Sequence, residues 1–405
     1  MKWWGVGFAF VLLTGSAASA QAACVEVWSL WGDRFRHTVD AASGAVTTVE
    51  VVRSANRGQD SPDGRYNARL TAPRPGGARS RLMLTDRSRG ISALLAKNVT
   101  SLAWSPDGVW LAYMQADDIR NPRGLALYNL QNGERAAASL PVNDWESLGI
   151  AWSPDSRWIA ATFVVDRQTE FSDVLLFTVP DLAPRQRFMT RLSIATTRWS
   201  PDGRVIAGYG TNNEFALMHV ASGDISGQKL HGRSHYQVDW SPGGSYVLVK
   251  YSIGELGQWM VILNTQGETV VDSTWITAHE WVNDGQALAR LGTQSGVDDL
   301  ALIDLESGEQ RVIQPRVGLY ALSADGRYVA AVDAAAMTIH DLSGQEAPWE
   351  MPAPPGVRSL VWQEDGREIL ALFEDRWLRA YDFQNWRAVA QIPGGETMLR
   401  RVGCG

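Results

Sequence analysis

Cysteine is nearly absent from this chain. Cys24 and Cys404 are its only two among 405 residues, so at most one bridge can form within it. Past the first residues, no apolar run approaches the ~18–20 residues that a helix needs to cross a bilayer. No Gly-x-Ser-x-Gly nucleophile elbow occurs, and no glycine-rich phosphate loop with its Lys-Ser/Thr is present. Basic stripes are also missing: the formal net charge is -7 and the pI about 5.5, which argues against a nucleic-acid partner. The six histidines do not cluster. His231 and His235 are four apart, but they sit in a stretch that reads as loop and strand, where that spacing spans ~13 Å. Asp117-Asp118 and Asp298-Asp299 lack the Asp-x-Asp-x-Asp-Gly spacing of a calcium loop. No metal site, cofactor site or catalytic residue is therefore assigned.

What the chain has instead is repetition. Trp199-Ser200-Pro201-Asp202-Gly203 has close relatives starting at Trp104, Trp152 and Trp240, and weaker ones starting at Asp60, Trp281, Leu322 and Trp362. The eight copies end at positions 64, 108, 156, 203, 244, 285, 326 and 366, in steps of 40 to 48 residues. A fixed period of this size marks a repeat architecture. Before each motif, apolar residues alternate, as in Leu148, Ile150 and Trp152, which places them on one face of a strand. After it come short runs rich in β-branched and aromatic residues, such as Tyr246-Val247-Leu248-Val249. The motif itself is turn chemistry: proline presets φ, aspartate holds nearby N–H groups and glycine accepts φ > 0. A second hairpin with its own Gly turn follows, as in Leu302 to Gly308. Four antiparallel strands per repeat predict an all-β, single-ring β-propeller of four-stranded blades.

The aromatic-Ser-Pro-Asp-Gly turns resemble those of WD-repeat and TolB-like propellers over essentially the whole chain. The Gly-His pair and Trp-Asp dipeptide of WD repeats are not kept: only His231 stands near such a position, with Leu230 in place of glycine. The TolB-like side is the nearer one, and it implies an exported module that binds a protein or peptide. The chain is also similar to the propeller half of prolyl-peptidase-like enzymes, without their hydrolase domain. The adjacent cysteine pair and repeated tryptophan-docking motifs of quinoprotein dehydrogenases are absent.

Residues 1–22 read as an export signal: Lys2, an apolar core from Trp3 to Leu13, and small residues at Ala18-Ser19-Ala20. Residues 23–405 are expected to form one monomeric β-propeller domain outside the cytoplasm, periplasmic or secreted. In an oxidising compartment Cys24 and Cys404 are expected to pair, since the ends of a ring must meet. Lipidation at Cys24 is the alternative, although Gln21 stands where such signals carry an aliphatic residue. Eight motifs give eight blades. The hairpin around Asp40 and Gly44, completed by Met398 to Val402, would make nine.

Six tryptophans (Trp104, Trp152, Trp199, Trp240, Trp281, Trp362) share one repeat position, which points to packing between blades. The positive expectation concerns the second loops, which are irregular where the first and third turns are stereotyped. Irregular loops on a rigid scaffold are where binding groups sit. They carry Asp117, Asp118, Arg120, Arg123, Asp166, Arg167, Glu170, Glu214, Glu255, Asp298 and Asp299. A polar, mostly acidic binding face for a protein or peptide is one reading. A hydrolase or lyase with acidic residues around a central channel is the alternative.

Overall fold

The computed structural model describes residues 24–29, 35–40, 43–50, 58–71, 80–118, 121–140, 147–165, 168–169, 171–210, 214–229, 237–252, 258–274, 276–292, 298–363, 366, 368–393 and 397–401. The export-signal segment and Cys404 lie outside them, as does the side chain of Cys24, so the expected disulfide falls there too.

Every regular element among the described residues is a β-strand, and the strands form nine four-stranded antiparallel sheets. The chain divides into two compact units, 53–353 and 1–52 with 354–405. The first holds seven sheets of sequential strands, numbered here as blades 1 to 7 in chain order: residues 59–97, 99–139, 147–192, 194–229, 237–274, 276–314 and 319–352. The second holds blade 8 (357–391) and a sheet built from both ends of the chain. In that sheet, Thr397–Arg401 pairs antiparallel with Cys24–Ser29, which pairs onward with Phe35–Asp40. This is the blade architecture of a β-propeller. The eight motif-bearing blades are those of the sequence count, and the sheet of the two chain ends is the additional one that the alternative count supplied.

Within a blade, burial grades from the middle outward. Ser172–Thr178, the third strand of blade 3, is buried at all but its last residue, because both of its faces are covered by neighbouring blades. Arg135–Ser139, the outer strand of blade 2, alternates exposed and half-buried positions. In the 53–353 unit, first strands of neighbouring blades pack side by side: Ser147–Trp152 lies between Val99–Trp104 and Ile194–Trp199. They therefore form its innermost layer. The core is a series of inter-blade layers; Ala160, Leu176 and Phe188 of blade 3, for example, meet Trp199, Ile206 and Met218 of blade 4. Side chains of the size of Leu176, Phe188, Ile206 and Met218 contribute about 1.5–3 kcal/mol each when fully buried.

The motif closes each first hairpin with side-chain bonds. The Ser200 hydroxyl donates to Asp202 Oδ1 (2.6 Å) and accepts from the Val205 amide (3.0 Å), while Asp202 Oδ1 accepts from the Arg204 amide (3.0 Å). Gly203 takes φ +73°, the left-handed region that glycine enters without cost. Ser156 stands at the equivalent position with φ 60°, and its hydroxyl accepts from the Asp107 amide of the preceding blade (3.1 Å). The tryptophans act across blades, as their spacing predicts. The indole of Trp152 donates to the Ala103 carbonyl (3.1 Å) and that of Trp199 to the Ala151 carbonyl (3.1 Å). Each acceptor is the residue before the motif tryptophan of the preceding blade.

Candidate functional site: a charged arc on the inner strands

The residue before the motif tryptophan faces the following blade on the innermost strand. It is Ala103 in blade 2 and Ala151 in blade 3, and Ala321 holds the matching place in blade 7. In blades 4, 5 and 6 it is Arg198, Asp239 and Glu280. Three consecutive inner strands thus carry charge where blades 2, 3 and 7 carry a methyl group; blade 1 has Gln59 there and blade 8 Val361. Strand alternation requires this geometry: Trp240 and Val238 point toward blade 4, so Asp239 between them points toward blade 6.

The departure changes the tryptophan ladder at one rung. The Trp281 indole donates to the Asp239 carboxylate (Oδ2, 3.1 Å) instead of to a backbone carbonyl. His279, two residues earlier on the same strand, places Nε2 3.2 Å from the same oxygen. The His279 side chain is 6% exposed and that of Asp239 44%. The other ring nitrogen of His279, Nδ1, is enclosed and has no hydrogen-bond partner among the described residues. Burial opposes the charged form of Asp239, but the His279 bond and charge, the Trp281 indole and Arg198 outweigh it and hold the carboxyl below its ordinary value.

Lys250 shares this cleft. It is the register partner of Gln237, two residues from Asp239, so its side chain emerges on the same blade face, toward the second-loop end. Burial lowers the pKa of its ammonium, and Asp239 offsets part of that effect.

Blade 6 repeats the arrangement toward blade 7. Glu280 takes the place of Asp239, Arg290 (register partner of Ala278) that of Lys250, and Tyr320 that of His279. Here the cation is engaged: Arg290 lies 3.0 Å from Asp298 Oδ2 and donates to the Val317 carbonyl (3.4 Å). Burial, then the Glu280 charge, raise the Tyr320 phenol well above its ordinary value against the opposing Arg290, so it stays protonated. Among the described residues, no three His, Cys, Asp or Glu side chains are gathered as a metal ion requires.

The residues expected on the binding face divide by placement. Arg120, Asp166, Arg167, Glu170 and Glu255 lie outside the described residues. Asp117 and Asp118 end the strand Trp110–Asp118, and Arg123 lies in Asn121–Asn129, so that hairpin continues further than a loop from Gln115 to Arg123 implies. Glu214 opens the strand Glu214–His219, is buried, and accepts from the Ser193 amide (2.5 Å). Asp299 accepts from the Arg316 amide (2.9 Å), and Asp298 reaches the charged arc through Arg290. Asp239, Lys250, His279 and Glu280 were not singled out from sequence. The available signal was a charged residue before tryptophan in three successive repeats.

No protein-family model and no curated protein sequence matches the chain. Solved structures do. A crystal structure of the eukaryotic initiation factor is 14% identical, covers 91% of this chain and 96% of its own, and superposes with a TM-score of 0.52. TolB from Acinetobacter baumannii is 12% identical over 70% of this chain and 77% of its own, with a TM-score of 0.37. The Cps50 (Swd1) β-propeller domain of Myceliophteria thermophila is 13% identical over 70% and 95%, with a TM-score of 0.35. At these identities the likeness concerns the fold alone. No helix among the described residues is long and apolar enough to cross a membrane.

Proposed function

We propose that this chain is an exported β-propeller module, one domain over residues 23–405, that binds a protein or peptide segment and performs no chemistry on it. One observation carries the reading: Arg198, Asp239 and Glu280 occupy consecutive inner strands at a position that is uncharged in the other blades, alanine in three of them, Gln59 in blade 1 and Val361 in blade 8. Charges of both signs in one row suit a polypeptide segment, which offers donors, acceptors and charged side chains at regular intervals. The TolB-like resemblance of the motifs points the same way, and so does the signal-like N-terminal sequence. The second-loop end, where Lys250 and Arg290 stand, is the proposed face of approach.

The test is selection of a displayed random-peptide library on the immobilised protein, followed by calorimetry on the wild type and on Arg198→Glu with Asp239→Ala. Enriched peptides that bind the wild type and lose roughly tenfold or more on the double variant support the reading. Equal binding by both proteins removes the arc from function. An intact-mass measurement with and without reductant tests export and the Cys24–Cys404 bridge together; lipid mass on Cys24 would exclude that bridge.

A hydrolase or lyase is the second reading. The contact between Asp239 and His279 favours it, since a carboxylate that orients an imidazole is the usual support of a general base. Turnover of ester or glycoside substrates by the wild type, abolished in His279→Gln, would establish it.

A further inference from the structure

The two neighbouring clefts, between blades 5 and 6 and between blades 6 and 7, are built on one plan but filled differently. In the second, the cation Arg290 has a carboxylate on it, Asp298 at 3.0 Å. In the first, Lys250 is half-buried, and among the described residues no acceptor lies within hydrogen-bonding distance of its ammonium. A partly desolvated cation without an acceptor is costly to keep in a folded protein, so its retention in a cleft calls for a ligand. The sister cleft shows what the position accepts. The local charge agrees: Arg198 and Lys250 act on the single carboxylate Asp239, whereas Arg290 is paired with Asp298, and Glu280 adds a second negative charge at Tyr320. A cleft that holds Lys250 and the single carboxylate Asp239, itself under the charge of Arg198 on the preceding inner strand, leans toward an anion even in a chain of net charge -7.

From this we infer that the cleft between blades 5 and 6 binds a carboxylate, with Lys250 as the anchoring cation in the role that Asp298 and Arg290 play together next door. The inference rests on the peptide-binding reading for the identity of the ligand: the carboxylate is an acidic side chain or the C-terminus of the bound segment. Asp239 makes no hydrogen bond to Lys250 and acts on it through its charge alone, while its Oδ2 accepts from Trp281 and contacts His279. The ligand enters from the second-loop end, where Lys250 stands two residues from the end of its strand, Tyr246–Ser252.

Lysine is scarce, and this makes the site addressable. Lys2, Lys97, Lys229 and Lys250 are the lysines of the chain, against an arginine-rich remainder. An amine-reactive succinimidyl ester, followed by peptide mapping across a pH series, reads each one separately. The lowered pKa of Lys250 predicts labelling at lower pH than for a lysine of ordinary pKa. Sodium benzoate is expected to slow the labelling of Lys250 several-fold and move its profile to higher pH, while benzamide, its neutral isostere, leaves both unchanged. Equal labelling with and without benzoate would overturn the site. So would a Lys250 that is inert in the wild type but reactive in Glu255→Gln, since the position would then be filled by the chain's own following loop.

The peptide arm separates the sources. Library peptides are compared as free acids, as C-terminal amides and with Glu and Asp replaced by Gln and Asn, on the wild type and on Lys250→Met. A loss of roughly tenfold or more on amidation assigns the C-terminus, and the same loss on side-chain replacement assigns an acidic residue; Lys250→Met removes the discrimination in either case. Discrimination that persists in Lys250→Met overturns the anchor. Benzoate protection without any peptide binding leaves the carboxylate site standing and defeats the peptide reading alone.

Discussion

The cleft between blades 5 and 6 and the one between blades 6 and 7 differ in how they settle the same polar positions. In the first, one carboxylate serves the next blade: Asp239 takes the Trp281 indole and the His279 ring, and Lys250 has no acceptor among the described residues. In the second, Arg290 is bound by Asp298 and by the Val317 carbonyl, and the Tyr320 phenol is under the opposing charges of Glu280 and Arg290. The motif turns at the other end of the clefts differ in parallel. Ser323 of blade 7 bonds Asp325 of its own turn (2.6 Å). Ser241 of blade 5 has Gly243 where that aspartate would be, and it donates instead to Asp284 of blade 6. Asp284 also accepts from the Gly243 amide (2.9 Å). A polar group satisfied within its own blade supports that blade; the same group satisfied by a neighbour makes the two blades one unit.

Breaking the saturated cleft should have the largest effect. Arg290→Met strips the guanidinium from the enclosed Asp298, and urea unfolding should show a loss of about 3 kcal/mol, the range for removing one partner of a buried pair. Asp239→Ala deprives two donors of their acceptor and should cost about 2 kcal/mol at neutral pH. That cost should shrink in acid. The folded pKa of Asp239 is lowered, so its contribution is present above the unfolded value of 3.8 and is lost as pH falls from there through the folded value. Unfolding curves of wild type and variant should therefore converge below pH 3.8.

Moving the bridging carboxylate sharpens the comparison at the turns. Asp284→Ala should cost about 1 kcal/mol by removing the acceptor of Ser241 and Gly243. Gly243→Asp alone should also destabilise, because a Cβ at 243 would lie 2.6 Å from the Asp284 carboxyl carbon. The double variant Gly243→Asp with Asp284→Ala restores the arrangement of the other blades, so a double-mutant cycle should show a favourable coupling of about 1 kcal/mol or more. The smallest effect belongs to Lys250→Met. Neutral-pH stability should stay within about 0.5 kcal/mol or rise slightly, since no hydrogen bond among the described residues is lost. The folded pKa of Lys250 is depressed, so the unfolded chain binds more protons over the alkaline range. Wild-type stability should thus gain relative to Lys250→Met as pH rises toward 10.5 and level off above it. An unchanged difference across that range would show that the ammonium is solvated.

The blade plan was legible because each of its devices is local. The turn from Ser200 to Val205 closes with bonds spanning five residues, and alternation around Trp152 or Trp240 is a property of a single strand. The candidate binding residues were legible only as a type. Glu214 reads as a loop carboxylate because a short polar stretch precedes it, yet it lies buried on the Ser193 amide, a partner twenty-one residues away. Asp239 was hidden by its neighbour: the strong tryptophan signal at 240 assigns the strand and its face, and Asp239 then reads as the solvent side of that strand.

By itself the sequence determined the period, the turn chemistry, the four-strand unit and the inward tryptophans, since these follow from backbone preference and from side-chain alternation over a few residues. Tertiary structure alone decided which groups meet: Asp284 in the turn of Ser241, Asp298 on Arg290, Trp281 on Asp239, and Thr397–Arg401 on Cys24–Ser29. Each of these joins strands or turns from separate parts of the chain. Whether a charge is satisfied in its own blade, by the next blade or by a ligand depends on how one sheet face packs against another.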